Sequence, residues 1–175
     1  MTGDPPRRRS AGFLTGFTIA AALAVAGLVS LGIWQLNRLT WKRDLIAKVE
    51  SRVHAAPIAA PSAAGPNDAY RRVTASGHFL HDRATLVQAS TVRGAGYWVL
   101  TPLVTDRGFT LLVNRGFVPP ERRTRYTQPI GRIRITGLMR LTEPSGGFLR
   151  SNDPAANRWY SRDVAAIAAA RRLRT

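Results

Sequence analysis

One uncharged stretch of 23 residues, residues 11–33, constrains this chain more than any other part of its sequence. As an α-helix it would be about 34 Å long, enough to cross about 30 Å of bilayer hydrocarbon. Small residues such as Gly12 and Gly16 are spread through it, and in membrane helices small residues let a partner helix approach closely. Trp34 and Trp41 follow at the place of an interfacial aromatic belt. The stretch therefore predicts a transmembrane helix.

The alternative is a cleaved secretory signal, with Arg7, Arg8 and Arg9 as its basic region and a cleavage site at residues 24–26. The apolar run is too long for a signal peptide, and no polar run follows it, so we favour an uncleaved anchor. Residues 1–10 then form a short cytoplasmic tail, because basic residues favour the cytoplasmic side. Basic residues also flank the other end of the span. On the favoured topology, residues 34–175 lie outside the cytoplasm, on the periplasmic side of a bacterial inner membrane.

The composition is strongly basic and lacks cysteine. The chain has 26 Lys and Arg against 10 Asp and Glu, a formal net charge of +16. We do not infer a nucleic-acid partner, because the anchor keeps the domain away from nucleic acid and the arginines are scattered. Anionic headgroups or an anionic ligand would suit this charge, and so would a simple solvated surface. The absence of cysteine excludes disulfides, thiolate metal sites and a cysteine nucleophile.

After the span, the apolar positions predict a juxtamembrane amphipathic helix over residues 34–54. Residues 55–69 are rich in Ala and Pro and predict a connector without regular structure. Residues 70–175 predict an extracytoplasmic β-rich domain. Its strands are expected at residues 72–79, 85–92, 97–104, 109–118 and 130–141. With no helices between them, they predict an antiparallel, barrel-like sheet, so the fold class is α+β.

Several local features refine this prediction. Residues 93–96 predict a flexible hairpin loop, and Pro102 predicts an edge strand or a bulge. Gly116 predicts a bulge or a close backbone approach in the fourth strand. Residues 158–161 predict one more short strand. Asp163 is expected to cap a helix over residues 164–173, whose C-terminal end carries Arg171, Arg172 and Arg174.

The residues with chemical potential are few. His78 and His81 have the spacing of a shared metal or haem ligand pair, although surface histidines are the commoner explanation. Arg115 lies between apolar residues and is expected to tie two strands together or, alternatively, to bind an anion. Trp159 either covers a flat ligand or packs in the core. The cofactor-binding candidates are therefore His78, His81, Arg115 and Trp159, and no catalytic or metal site is predicted.

Five blocks of the sequence, in the same order, resemble the Surfeit-locus-one family of cytochrome c oxidase assembly proteins. They are LGIWQLNRLTWKRDLI from Leu31, GYWVLTPL from Gly96, LVNRGFVP from Leu112, ITGLMR from Ile135 and NDPAANRWYSRD from Asn152. Within these blocks the interface or structural-motif residues are Trp34, Gln35, Asn114, Arg115, Gly116, Asn152, Asp153, Trp159 and Tyr160.

The resemblance implies an N-terminal membrane helix, an external β-rich domain and a second membrane helix near the C-terminus. It also implies assistance in maturing the haem-copper oxidase, with haem a as the cofactor handled. The partners implied are subunit I of cytochrome c oxidase and other assembly factors, besides the lipid bilayer. The family's haem-associated histidine belongs to the second span, which is not among these 175 residues. We therefore expect this chain alone to bind haem a poorly.

The sequence as a whole predicts a membrane-anchored, non-enzymatic assembly factor, a chaperone of the respiratory chain that assists haem a delivery. One alternative is a structural accessory subunit of a membrane complex that binds no cofactor. A membrane-tethered enzyme is a further alternative, but no acid–base or nucleophile arrangement is present to support it.

Overall fold

The structure, a computed structural model, describes residues 11–144, 146 and 150–173. The predicted tail with Arg7, Arg8 and Arg9 lies outside the described residues, and so does Arg174. The chain divides into two compact units, Met1–Glu50 and Ser51–Thr175.

The first unit is built from a single long helix, α1 (Ala11–His54). The hydroxyl groups of Thr18, Ser30 and Thr40 each donate to the carbonyl four residues earlier, at 2.9–3.1 Å. Their polar atoms are therefore satisfied within the helix, as a hydrocarbon environment requires. Its large apolar side chains are exposed. By length and composition, α1 is the one helix in the described part of the chain that could cross a membrane.

The second unit is a mixed six-stranded sheet followed by a short helix, which confirms the α+β class. Its elements are β1 (Ile58–Ala59), β2 (Arg72–Phe79), β3 (Thr85–Thr91), β4 (Gly94–Thr105), β5 (Thr110–Val118), β6 (Ile133–Leu138) and α2 (Val164–Ala170). β4 is the central strand. One of its edges pairs with β5 over residues 97–104, and the other pairs first with β3 and then with β2.

β2 connects the two ends of this sheet. Its residues 72–77 pair antiparallel with β6, and its residues 77–79 pair antiparallel with β4. No bridge joins β5 to β6 among the described residues, so the predicted barrel is open there. An apolar cavity of about 210 Å³ lies at this opening, lined by residues of β2, β5 and β6.

Two sequence expectations about the connections between strands were wrong. The connector contains a strand, because β1 pairs parallel with Val73 and Thr74, which makes the sheet mixed rather than antiparallel. The loop expected at residues 93–96 is shorter, since β4 begins at Gly94, which pairs with Thr91. Only Val92 and Arg93 remain as a two-residue turn.

Pro102 was expected at an edge or a bulge, but it is buried in central β4. Its carbonyl accepts a hydrogen bond from Leu80 N–H at 2.9 Å. This bond lies on the edge of β4 that pairs with β3 up to Leu100 and with β2 from Leu103 onward. The proline nitrogen faces the same edge, where no ladder partner requires an N–H. A central strand therefore accommodates this proline without losing a ladder hydrogen bond.

The C-terminal segment closes the core. Trp159 forms an isolated parallel bridge with Val87, in place of the strand predicted at residues 158–161. Asp163 caps α2 as predicted, accepting a hydrogen bond from Ala166 N–H at 3.1 Å. Buried side chains from three segments form the central cluster: Val87, Leu100, Trp159 and Ile167.

Candidate functional site

A β-bulge lies in β5 at Arg115 and Gly116. These two residues face the single residue Val99 of β4, because the β4–β5 register shifts there. Gly116 has a φ of +114°, which residues with a Cβ atom rarely adopt. Its N–H donates to Asn114 Oδ1 at 2.9 Å. The structure therefore confirms the bulge predicted at Gly116.

We expect Gly116→Val to destabilise the sheet unit by about 1–3 kcal/mol. No atom lies within 4 Å of an added Cβ, so the cost comes from the positive φ and not from a clash. The measurement is thermal unfolding of the full chain, monitored by near-ultraviolet circular dichroism. Gly137→Val is the matched control, because Gly137 also has open space around it but has no positive φ. Equal melting temperatures for the two variants would contradict the prediction.

Arg115 is half-buried and links three segments. Its guanidinium lies 5.0 Å from the centroid of the Phe79 ring, at the end of β2. Its Nη2 donates to the Thr127 carbonyl in the loop after β5. Its Nη1 is buried and has no hydrogen-bond partner in the described part of the chain. The first two contacts fit the interpretation of Arg115 as a strand tie, and the orphan Nη1 provides a donor for an anion.

The two histidine candidates have different surroundings. His78 is exposed on β2, whereas His81 is half-buried in the short turn after it. The His81 Nε2 lies 2.8 Å from the Pro129 carbonyl and must donate to it, because a carbonyl oxygen only accepts. Its Nδ1 is buried without a partner. Among the described residues, no group of three His, Asp or Glu side chains could hold a metal ion.

The segment around Asn152 is fixed by side-chain to backbone hydrogen bonds. Asn152 Oδ1 accepts from the N–H groups of Tyr160 at 2.8 Å and Ser161 at 3.2 Å. Its Nδ2 donates to Ser161 Oγ at 3.0 Å, and that oxygen also accepts from Gly146 N–H at 3.0 Å. These bonds hold the chain on either side of Trp159 in place.

Asp153 and Arg158 close the same loop. Arg158 Nη2 donates to Asp153 Oδ2 at 2.7 Å, and Ala156 N–H donates to Oδ1 at 3.0 Å. The Arg158 hydrogen bond, followed by that from Ala156, lowers the pKa of Asp153 from its ordinary value. The stability this contributes is present above the unfolded-state pKa and is lost as the pH falls through the folded-state pKa. Because the pair is solvent-exposed, the contribution is small.

Trp159 and Tyr160 have opposite environments. Trp159 is 2 % exposed, and its Nε1 donates to Asn157 Oδ1 at 2.9 Å. Tyr160 is half-buried, with the Arg150 guanidinium 5.4 Å from its ring centroid. The indole ring of Trp159 therefore packs in the core, which is one of the two alternatives that the sequence left open.

Trp34 and Gln35 belong to α1, in the first unit. Both side chains are exposed, and the Arg38 guanidinium lies 5.3 Å from the Trp34 ring centroid. The remaining motif residues lie in the second unit. Around the bulge, the structure brings together Arg115, His81 and Phe79, since both His81 and Arg115 contact the Phe79 ring.

Two basic cavities lie beside the loop after β5. The first has a volume of about 300 Å³, and the residues that line it include Arg115, Arg122, Arg125 and Tyr126. The second, about 460 Å³, shares Tyr126 and has a larger aromatic and basic lining: Tyr97, Arg123, Arg158, Trp159, Tyr160 and Arg171. No Asp or Glu lines either cavity. Both cavities are therefore suited to anions and not to cations.

Sequence reasoning did not identify Arg122, Arg125 or Tyr126 as site residues. The loop after β5 is polar and rich in arginine, and this concentration of basic residues was the available signal. The convergence of these side chains on Arg115 depends on how the loop folds back, which sequence spacing does not reveal.

Comparison with known proteins gives a consistent result. The sequence model of the SURF1 family matches residues 22–175. Surfeit locus protein 1 of Mus musculus is 40% identical over 171 residues, covering 83% of this chain and 55% of that protein. Surfeit locus protein 1 of Homo sapiens is 39% identical over 165 residues, covering 79% of this chain and 54% of that protein. The SURF1-like protein of Caenorhabditis elegans is 29% identical over 187 residues, with coverages of 90% and 57%. The chain thus spans about half the length of the curated relatives it matches.

Proposed function

Because this chain belongs to the SURF1 family, we propose that it is a membrane-anchored assembly factor for cytochrome c oxidase that assists haem a delivery to the catalytic subunit. The observation that carries the proposal is the family match over residues 22–175. The long apolar helix α1 supports membrane anchoring. The proposed partners are subunit I of the oxidase and other assembly factors, and the proposed mode of action is binding without catalysis.

We infer that the described histidines do not form an axial haem site. The His81 Nε2 is occupied by the Pro129 carbonyl, and its Nδ1 is buried. His78 is exposed on a strand, and His54 lies at the end of α1. We therefore propose that residues 1–175 contribute a binding surface for the maturing oxidase and hold little haem a by themselves. The same observation favours the second candidate function, a structural accessory subunit that binds no cofactor.

Deletion of the gene is expected to lower the amount of assembled oxidase that contains haem a, without lowering haem a synthesis. Difference spectra of membranes measure the haem a band, and extraction of total haem measures synthesis. Complementation with the wild-type gene is the control. Normal oxidase content in the deletion strain would overturn the assembly role and leave the accessory-subunit function in place.

The proposed localisation is the bacterial cytoplasmic membrane, with the N-terminus inside and the sheet unit outside. Its basis is α1 together with the basic residues that precede it in the sequence. Alkaline phosphatase fused after Thr175 is expected to be active, whereas a fluorescent protein fused there is expected to be dark. The reverse pattern would contradict this topology.

A further inference from the structure

We propose that the cavity of about 300 Å³ beside β5 is a binding site for a phosphate group, contributed by a free phosphate or by a phosphomonoester lipid headgroup. We call it the arginine cavity, and its polar lining consists of Arg115, Arg122, Arg125, Tyr126 and Thr127. It does not depend on the proposed assembly function.

Two separate pieces of backbone supply these arginines. Arg115 comes from the bulge in β5, which adds a residue to the strand. Arg122 ends the short turn Pro120–Arg122, directly after β5, and Arg125 follows in the same loop. The Arg122 N–H donates to the Pro119 carbonyl at 3.0 Å, and the Arg125 N–H donates to the Arg122 carbonyl at 2.9 Å. The loop backbone is therefore fixed without using the guanidinium groups of Arg122 and Arg125.

The positive charges in the arginine cavity lack a protein counterion. No carboxylate lines the cavity. Within the described residues, the side chains of Arg122 and Arg125 have no hydrogen bond or ion pair, although most other arginines of the sheet unit do. The Arg115 Nη1 is buried without an acceptor, and buried donors are normally paired. A bound anion would relieve the repulsion among the three cations.

The number of donors favours phosphate over a carboxylate. Each guanidinium presents a planar fork of N–H donors, and the Tyr126 hydroxyl adds one more. A carboxylate has two acceptor oxygens, whereas a phosphomonoester has three terminal oxygens and a charge near −2. The apolar residues Val99, Phe117, Val118 and Pro119 form the rest of the wall.

The experiment uses the full chain in phosphatidylcholine nanodiscs, titrated with inorganic phosphate at constant ionic strength. Calorimetry is expected to give one saturable site. The double variant Arg122→Gln/Arg125→Gln is expected to bind about tenfold more weakly or worse. The matched control is Arg72→Gln/Arg93→Gln, which removes the same charge from exposed positions outside the cavity. That control is expected to retain wild-type affinity.

A second arm distinguishes the two sources of phosphate. Short-chain phosphatidic acid is compared with short-chain phosphatidylcholine and with inorganic phosphate. Binding of inorganic phosphate identifies a soluble ligand, and binding of phosphatidic acid alone identifies a lipid headgroup; either result supports the site. No binding in both arms would overturn the proposal. The proposal would also be overturned if acetate bound with the same affinity as phosphate, or if both double variants lost the same amount of phosphate affinity.

Discussion

Trp159→Ala is expected to destabilise the sheet unit by about 3–5 kcal/mol, the range typical of large-to-small changes at buried aromatic residues. Trp159 is 2 % exposed and packs with Val87, Leu100 and Ile167. Alanine would leave a cavity between β3, β4 and α2, and these elements surround the ring on several sides. It would also remove the indole Nε1, one of the two donors to Asn157 Oδ1; the other is Arg171 Nη2.

The measurement is thermal unfolding of the full chain by near-ultraviolet circular dichroism, which reports on the packing of aromatic side chains. A loss of this size corresponds to a fall of about 10–20 °C in the melting temperature. Trp34→Ala is the control, because Trp34 lies on α1 and is 50 % exposed. Trp159→Phe should fall between wild type and alanine. If Trp159→Ala had the same melting temperature as Trp34→Ala, Trp159 would not be part of the stabilising core.

The bounds of β2 were predicted as the structure gives them, Arg72–Phe79. Burial does not alternate along this strand, and Gly77 is its one buried residue. The turn residues that follow it, and not a period of two, made its end predictable. The bulge at Gly116 was also predictable, because a glycine in an otherwise apolar strand signals a special backbone position.

Features that depend on pairing partners were not predictable in this way. Pro102 occupies a central strand because its nitrogen faces the junction between β3 and β2, and no local pattern specifies that junction. β1 forms only because a passing segment meets the free edge of β2. Arg122 and Arg125 join Arg115 through the path of a loop that has no periodicity. In each case, tertiary arrangement and not local propensity determines the outcome.

The second large effect is expected at Gly77, where β2 passes from its pairing with β6 to its pairing with β4. Gly77 pairs with Ile133 on one edge and Thr105 on the other. A Cβ at this position would lie 2.0 Å from the Val104 carbonyl oxygen and 2.9 Å from the Thr105 Cα. Both are backbone atoms, so no side-chain rotation relieves the clash. We expect Gly77→Ala to cost about 3 kcal/mol, the upper end of the usual range for overpacking.

The damage should be local as well as global, because β2 and β4 are paired over only residues 77–79. Separating these strands would expose the Leu80 N–H, which donates to the Pro102 carbonyl at 2.9 Å. Hydrogen exchange of that amide is therefore expected to accelerate in Gly77→Ala, together with a lower melting temperature of the full chain. Gly137→Ala is the matched control, since an added Cβ meets no atom within 4 Å there, and its stability should stay within about 0.5 kcal/mol of wild type. Wild-type exchange at Leu80 in Gly77→Ala would mean that the added Cβ leaves the pairing of β2 with β4 intact, which would contradict the prediction.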